Sequence, residues 1–159
     1  RHNPKHMLLT QGTQSEFLEG VGDASEGIMV FSAWHADAPF QGTLGGKQMN
    51  NSDFVAAYQS ANGKLPDEDV AITFALCQGI DQAVHATGSV DNGKIIAWLH
   101  SRTASDPVNT ILGSYNWDDT GLPINKQPLI VQWQGGELKF IYPINEFKAS
   151  PAVSPKPAW

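Results

Sequence analysis

The sequence has one cysteine, few basic residues and no long hydrophobic run. Because Cys77 stands alone among 159 residues, the chain has no internal disulfide framework. Its ten lysines and arginines are scattered, and the net charge is −6 at pH 7, which argues against a nucleic-acid partner. No apolar run approaches the roughly 20 residues that span a bilayer. No leader-like segment follows Arg1, so we expect a processed or excised piece of a longer protein.

The hydrophobic content of 41% is enough to fill a core. Two short apolar runs, 5–9 and 28–33, predict strands, and the second is typical of a strand buried on both faces. A helix is expected between them, with Thr13 or Ser15 as its cap. This order of elements predicts an α/β fold with a mostly parallel sheet flanked by helices.

The middle of the chain begins with a long irregular stretch, from His35 to Asn51. Three helices are predicted to follow it, and their expected caps are Ser52, then Asp67 or Asp69, then Asp91 or Asn92. In the longest of these helices, apolar residues repeat every four positions and predict its buried face. They are Ile72, Leu76, Ile80 and Val84.

A β-hairpin is the clearest local signal near the C-terminus. In "PLIVQWQGGELKFIYP" two strand-like runs flank Gly135-Gly136. Before it, Asp118 to Gly121 predicts a turn with Asx-type hydrogen bonds, since a calcium loop needs more oxygen ligands. The proline-rich segment after Pro143 predicts an extended or disordered tail.

No set of side chains in the sequence indicates catalysis. "GTLGGKQ", residues 42–48, is one residue short for a phosphate loop and has Gln48 where a hydroxyl is needed. His35 and Asp37 lack further ligands at metal-binding spacing, and Cys77 fits a small buried helix residue better than a nucleophile. We therefore expect no catalytic residue, no metal, no cofactor and no enzyme activity.

Trp34 is the aromatic residue with the strongest positional signal. It stands where a buried strand passes into a long loop, a position at which clefts form in open α/β sheets. We predict that Trp34 lines a ligand or interdomain cleft.

Four blocks of the sequence, taken in order, resemble type I periplasmic binding proteins. They are "EGVGDASEGIMVFSAW", "FVAAYQSANGKLPDEDVAITFALCQGIDQAVHATGSVD", "ILGSYNWDDTG" and "PLIVQWQGGELKFIYP". From about Lys5 to Pro143 the chain resembles the C-terminal portion of the branched-chain amino acid binding family of ABC transporters. Members of that family are longer and have two lobes joined by hinge crossovers.

The resemblance implies a division of the chain among those two lobes. Residues 1–34 would belong to the second lobe, and residues 35–126 to the first lobe, with three helices and a strand. Residues 127–143 would form a second-lobe hairpin, followed by a proline-rich tail at 144–159. The end of the strand at Trp34 and the stretch 122–127 would then be hinge crossovers.

The resemblance also implies ligand contacts. Gln11 follows the first strand, where amino acid binders of the family carry an acidic residue that meets the ligand's ammonium group. Because Gln11 is neutral, we expect a carboxylate, an aromatic acid or another uncharged group rather than a zwitterionic amino acid. Phe74 matches an aromatic residue that packs on the ligand, although it fits a core position equally well. The expected ligand-binding residues are thus Gln11, Trp34 and Phe74.

These implications describe a non-catalytic, periplasmic receptor whose partners are a small-molecule solute and the permease of an ABC transporter. Its signal peptide would lie outside the printed sequence. A ligand-sensing regulatory domain of the same fold and a small α/β enzyme are the alternatives. Because a truncated fragment of such a receptor would expose unpaired strand edges, we further expect the isolated chain to form a homodimer.

Overall fold

The computed structural model describes residues 3–124, 126, 128–144 and 148–158. Its elements are, in chain order, β1 (Leu8–Leu9), α1 (Ser15–Val21), a 3₁₀ turn (Gly22–Ser25), β2 (Met29–Ser32), β3 (Thr43–Leu44), β4 (Lys47–Gln48), α2 (Asn51–Asn62), α3 (Glu68–Thr87), α4 (Asn92–His100), β5 (Val108–Thr110), β6 (Gly113–Tyr115), β7 (Leu129–Gln134) and β8 (Glu137–Tyr142). The chain divides into two compact units: unit 1 is Arg1–His35 with Pro128–Trp159, and unit 2 is Ala36–Gln127. Within the described ranges, no helix combines the length and apolar character needed to cross a membrane.

Unit 1 is built on a four-stranded sheet in the order β1-β2-β7-β8. The α1 crossover joins β1 and β2 as a parallel pair, whereas β2 with β7 and β7 with β8 are antiparallel pairs. The turn between β7 and β8 is made by Gly135 and Gly136, both with positive φ, as a tight hairpin requires. The α/β class and the hairpin are confirmed. The sheet is mixed rather than mostly parallel, because the hairpin supplies two of its four strands.

The apolar core of unit 1 lies on the face of the sheet that α1 covers. Its buried members are Ile28, Val30, Val131 and Trp133, and half-buried residues packed against them are Met7, Leu9, Phe17, Leu18 and Leu138. The cap of α1 is Gln14, whose side chain makes no capping bond. The expected caps, Thr13 and Ser15, are therefore wrong. They are the two hydroxyl residues on either side of Gln14.

The proline-rich tail is extended and packed in its described part, residues 148–158, which contains no helix or strand. The backbone N–H of Ser150 donates to the carbonyl oxygen of Phe140 at 2.7 Å. The disordered alternative is therefore wrong for these residues. The expectation for 145–147 lies outside the described residues, as does part of the proposed crossover, residues 125 and 127.

Unit 2 contains α2, α3 and α4 together with two hairpins, β3–β4 and β5–β6. Asp67 caps α3 by accepting the N–H of Val70 at 2.9 Å, and Asp91 caps α4 in the same way. These two caps are confirmed. α2 instead starts after Asn50, whose N–H donates to the Asp53 carboxylate at 2.9 Å, so the expected Ser52 cap is wrong.

The stretch from His35 to Asn51 is less irregular than expected, since it includes the β3–β4 hairpin. Asn51, which is fully buried, fixes the segment before that hairpin. Its side-chain Nδ2 donates to the carbonyl oxygens of Ala36 at 3.0 Å and Ala38 at 2.8 Å. Two hydrogen bonds from one side-chain amide therefore hold this segment, which has no regular secondary structure.

The buried face of α3 differs from the expected one. Leu76 and Ile80 are 66% and 51% exposed. The buried positions of the helix are Ala71, Ala75, Gln78 and Ala83. Ile72 and Val84 are half-buried, so the predicted stripe is exposed in its middle, and small residues and a glutamine face inward.

Two glutamines explain this orientation of α3. Gln78 accepts the N–H of Ile111 at 2.8 Å and donates to the carbonyl oxygen of Met49 at 2.9 Å. One turn later, Gln82 donates to the carbonyl oxygen of Asn109 at 2.8 Å and accepts its N–H at 3.2 Å. This amide ladder, Gln78 and Gln82, satisfies backbone groups of β5 and its turn that would otherwise lose hydrogen bonds on burial.

Gly42 makes the closest approach to the amide ladder. A Cβ at this position would lie 2.6 Å from Nε2 of Gln78 and 2.8 Å from the carbonyl oxygen of Met49. We expect Gly42→Ala to lower the free energy of unfolding by about 1–3 kcal/mol, as overpacking usually does. Denaturant unfolding measures this change.

The control is Gly79→Ala, on the same helix as the ladder. Its Cβ would meet only Val108, at 3.9 Å. Because alanine favours helix, we expect a gain of about 0.5–1 kcal/mol. Equal stabilities for Gly42→Ala and the wild type would contradict the close packing around Gln78.

Candidate functional site

The loop between β1 and α1 presents Gln11 to solvent. Beside it, Gly12 has a φ of +127° and lies so close to the Phe17 ring that a Cβ would approach it to 3.2 Å. The indole Nε1 of Trp133 donates to the carbonyl oxygen of Gly12 at 2.9 Å. The buried Trp133 and the half-buried Phe17 thus fix the loop, while the exposed Gln11 amide offers both donors and an acceptor to a polar solute.

Trp34 lies just beyond the end of β2, in a tight turn. The hydroxyl of Ser32 donates to the carbonyl oxygen of Trp34 at 2.6 Å and lies 3.2 Å from its backbone nitrogen. Trp34 is only 6% exposed. The next residue, His35, donates from Nε2 to the carbonyl oxygen of Leu138 at 3.1 Å. The turn is therefore fixed to the hairpin, and a small part of the Trp34 surface is open to a ligand.

Phe74 is half-buried in α3. Its ring packs on Phe54 of α2, with ring centroids 4.7 Å apart. Phe54 is buried and also contacts Tyr58. Phe74 therefore combines a packing contact with an accessible ring surface.

The three sequence-predicted ligand residues are divided between the units: Gln11 and Trp34 lie in unit 1, and Phe74 lies in unit 2. Within unit 1, one cross-strand pair supports the segments that carry both predicted ligand residues. Trp133 and Leu138 are directly paired in the β7–β8 ladder. Trp133 holds the loop that carries Gln11, and Leu138 accepts the hydrogen bond from the residue after Trp34. Sequence reasoning missed this support because its partners are more than 100 residues apart.

Lys126 is the centre of a cluster in unit 2 that sequence reasoning also missed. Its Nζ lies 4.6 Å from the ring centroid of Tyr115 and 5.1 Å from that of Phe40. It also donates to the carbonyl oxygen of Leu112. Burial lowers the pKa of the Lys126 ammonium group and raises the pKa of the Tyr115 hydroxyl. The two rings and the carbonyl compensate the ammonium group for part of the water it loses.

An apolar groove of about 260 Å³ lies between α3, α4 and the β5–β6 hairpin. Its lining includes Leu76, Ile80, Leu99, Leu112, Tyr115 and Trp117, and none of the described residues that line it is charged. A smaller hollow of about 170 Å³ shares Leu99 and Trp117 with it and adds Ile96. We call the surface made by Leu76, Ile80, Ile96, Leu99 and Trp117 the apolar face.

The chemical motifs considered in the sequence have structural explanations. Residues 42–48 fall on the β3–β4 hairpin, and the Gly45 N–H donates to the Asp81 carboxylate at 2.7 Å, an arrangement unlike a phosphate loop. Asp118 forms the expected Asx-type turn, and its hydrogen bond from the Thr120 hydroxyl lowers the pKa of its carboxyl group. Cys77 is exposed, contrary to expectation, because α3 turns a different face inward. Among the described residues, no three His, Cys, Asp or Glu side chains are grouped as a metal site.

Curated relatives of the chain are binding proteins. The chain is 24% identical over 133 residues to the Leu/Ile/Val-binding protein homolog 1 of Brucella suis, and matches the Brucella melitensis protein of that name equally well. Each match covers 82% of this chain and 34% of the relative, so the chain spans about a third of their length. No protein-family model matches the sequence.

Solved structures with a similar fold are binding proteins of the same kind. A leucine-binding protein of Thermotoga maritima aligns with a TM-score of 0.68 and 23% identity, over 85% of this chain and 36% of that one. A branched-chain amino acid binding protein of Streptococcus pneumoniae, in complex with isoleucine, aligns with a TM-score of 0.64 and 14% identity, over 84% and 35%. A solute-binding protein of R. palustris, in complex with benzoate, gives 0.55 and 19%, over 86% and 33%. The chain therefore has the fold of the type I periplasmic binding proteins, and over about a third of their length it is similar to solute-binding proteins of branched-chain amino acid ABC transporters.

Proposed function

We propose that this chain is part of a periplasmic solute-binding receptor, which captures a small polar or aromatic organic solute for the permease of an ABC transporter. One observation carries the proposal. Most of the chain is similar, in sequence and in fold, to proteins whose names describe solute binding. The same similarity supports a role without catalysis or a cofactor.

Within this receptor we assign the two units to different lobes. Residues 1–34 and the 127–143 hairpin would belong to the second lobe, together with the tail at 144–159, and residues 35–126 to the first. The assignment is supported by the boundaries of the compact units, which fall after His35 and after Gln127.

The apolar face supports the idea that the chain is one part of a larger receptor. Leu76, Ile80 and Ile96 are all more than half exposed, and they lie beside a groove without charged lining residues in the described chain. Contiguous apolar surface of this kind in a soluble protein usually marks an interface. Because the chain spans about a third of the length of its relatives, we propose that further polypeptide of the receptor covers this face.

The chemistry of Gln11 favours a carboxylate or an aromatic acid as the solute. An exposed neutral amide can donate to a carboxylate, whereas it lacks the negative charge that stabilises a buried ammonium group. Benzoate, which is bound in the R. palustris structure, represents the aromatic acids. Isoleucine, which is bound in the S. pneumoniae structure, represents the zwitterionic amino acids.

Calorimetric titration of the receptor polypeptide that contains this chain tests the proposal. We expect benzoate to bind more tightly than isoleucine, and Gln11→Glu to reverse that order because it adds the missing carboxylate. Gln14→Glu is the control, because it adds the same charge three residues after Gln11. It should leave the order of the two affinities unchanged. Failure to bind any solute in a panel of amino acids and aromatic carboxylates would contradict the receptor function.

Phe74 provides a second test of the binding wall. We expect Phe74→Ala to weaken solute affinity by about tenfold or more, equivalent to about 1.4 kcal/mol, with a smaller loss of folding stability. Phe54→Ala is the matched control, because Phe54 is only 3% exposed and its loss should cost about 3–5 kcal/mol of stability. Calorimetry and thermal unfolding separate the two effects. An affinity unchanged by Phe74→Ala would assign its ring to the core alone.

A further inference from the structure

The described tail, residues 148–158, crosses the sheet of unit 1, and we call it the strap. At β8 the Ser150 N–H donates to the carbonyl oxygen of Phe140. At the other edge of the sheet the Lys156 N–H donates to the carbonyl oxygen of Lys5 at 2.8 Å, just before β1. The contacts between these ends are made to β7. The strap therefore links the two edge strands, β8 and β1.

Gln132 of β7 holds the middle of the strap. Its side chain is fully buried, and it accepts the Val153 N–H at 2.7 Å while donating to the Val153 carbonyl oxygen at 3.0 Å. The same Nε2 donates to the carbonyl oxygen of Gly27 at 2.9 Å. Gln134 adds a bond to the carbonyl oxygen of Pro151 at 3.0 Å. Removing Gln132 would leave the buried Gly27 carbonyl oxygen and the half-buried backbone groups of Val153 without these partners.

The end of the strap packs closely against the sheet. Lys156 is only 4% exposed, which is rare for a lysine. A Cβ added to Gly27, whose φ is +77°, would lie 3.1 Å from the Cα of Lys156. The strap is thus closely packed at Lys156, although most of its other residues are exposed.

The strap lies on the face of the sheet opposite to α1. Side chains alternate along a strand, so Val131 and Trp133 face the core beneath α1, while Gln132 and Gln134 face the other way. A sheet of an α/β protein usually has a helix on each face. In unit 1 the extended strap, instead of a helix, lies on one of the two faces.

We propose that the strap positions β1 and the loop that carries Gln11. β1 pairs with β2 at only two positions, Leu8 with Met29 and Leu9 with Val30, so the sheet alone holds it weakly. Trp133 holds the far end of the loop at Gly12, and the strap adds an attachment on the other side of β1, at Lys5. Through Gln132 this attachment is connected to β7. Gln132 acts as the positioning residue, through the strap. This role is independent of the solute and of the proposed function.

Hydrogen–deuterium exchange of the whole chain tests the proposal. We expect Gln132→Leu to raise amide exchange by about tenfold or more, both in the strap and in residues 8–14, because it leaves buried partners unpaired. Amides that pair β7 with β8, and those of α3 in unit 2, should keep their protection. Gln134→Leu removes one strap bond and one bond to Gln132 Oε1 but leaves the Gln132–Val153 bonds in place, so this control should have a smaller effect.

Two results would overturn the proposal. One is faster exchange in the strap with unchanged exchange in residues 8–14, which would make the strap a passive cover. The other is no change in either segment. Should Gln132→Leu fail to fold, Gly27→Ala displaces the strap near Lys156 and leaves Gln132 in place. The same rise in residues 8–14 is expected from it, and its absence would count equally against the proposal.

Discussion

The isolated chain is expected to be a dimer at micromolar concentration, and the double variant Leu76→Glu, Ile80→Lys is expected to be a monomer. Both residues belong to the apolar face and are more than half exposed. Burying that face against a second copy removes apolar surface from water, which favours association. Charges at these two positions would have to be desolvated in the interface, at a cost of several kcal/mol.

The double variant is designed to leave the monomer intact. Glutamate at 76 and lysine at 80 are four residues apart in the orientation that stabilises a helix, and the net charge does not change. The control is Ile144→Glu, because Ile144 is 70% exposed and belongs to unit 1. Sedimentation velocity distinguishes the species. A monomeric wild type, or a dimeric double variant, would contradict this use of the apolar face.

Trp133→Ala is expected to unfold most of unit 1. Truncating a buried tryptophan costs about 3–5 kcal/mol, and the Gly12 carbonyl oxygen would also lose its partner. The combined loss of folding free energy approaches the total of about 5–15 kcal/mol that stabilises a typical domain. Trp133→Phe keeps most of the ring packing against Phe17 and loses the hydrogen bond, so we expect a cost of about 1–3 kcal/mol.

Denaturant unfolding followed by far-UV circular dichroism measures both Trp133 variants. Trp98→Ala is the control, because Trp98 is half-buried on α4 and its ring contacts Arg102 at 4.3 Å. We expect that control to cost about 1 kcal/mol or less. If Trp133→Ala proved as mild as the control, the core of unit 1 would not depend on Trp133.

The features that could be predicted from the sequence have local causes. A Gly-Gly pair between two apolar runs specifies a hairpin whatever surrounds it, and the turn at Gly135 is where it was expected. The caps at Asp67 and Asp91 follow from side chains that bond a backbone N–H three residues away. In each case the residues that decide the structure lie within one turn of each other.

The features that could not be predicted depend on distant partners. Leu76 and Ile80, in the middle of the apolar stripe of α3, are exposed because Gln78 and Gln82 bond backbone groups 27 to 33 residues away, which no periodicity reveals. The tail is ordered because Gln132 binds Val153, 21 residues further on. Likewise, the position of Gln11 after a strand could be predicted, whereas its support by Trp133 could not.

The amide ladder has a consequence for the kind of assembly that the chain can form. β5 pairs with β6 on one side, and on the other side Gln82 binds both backbone groups of Asn109, as a neighbouring strand would. An open strand edge is where further chains add in register to build fibres. Because side chains of α3 already occupy this edge of β5, unit 2 offers no place there for such growth. Self-association through the apolar face would then not continue into a β-aggregate through this edge of β5.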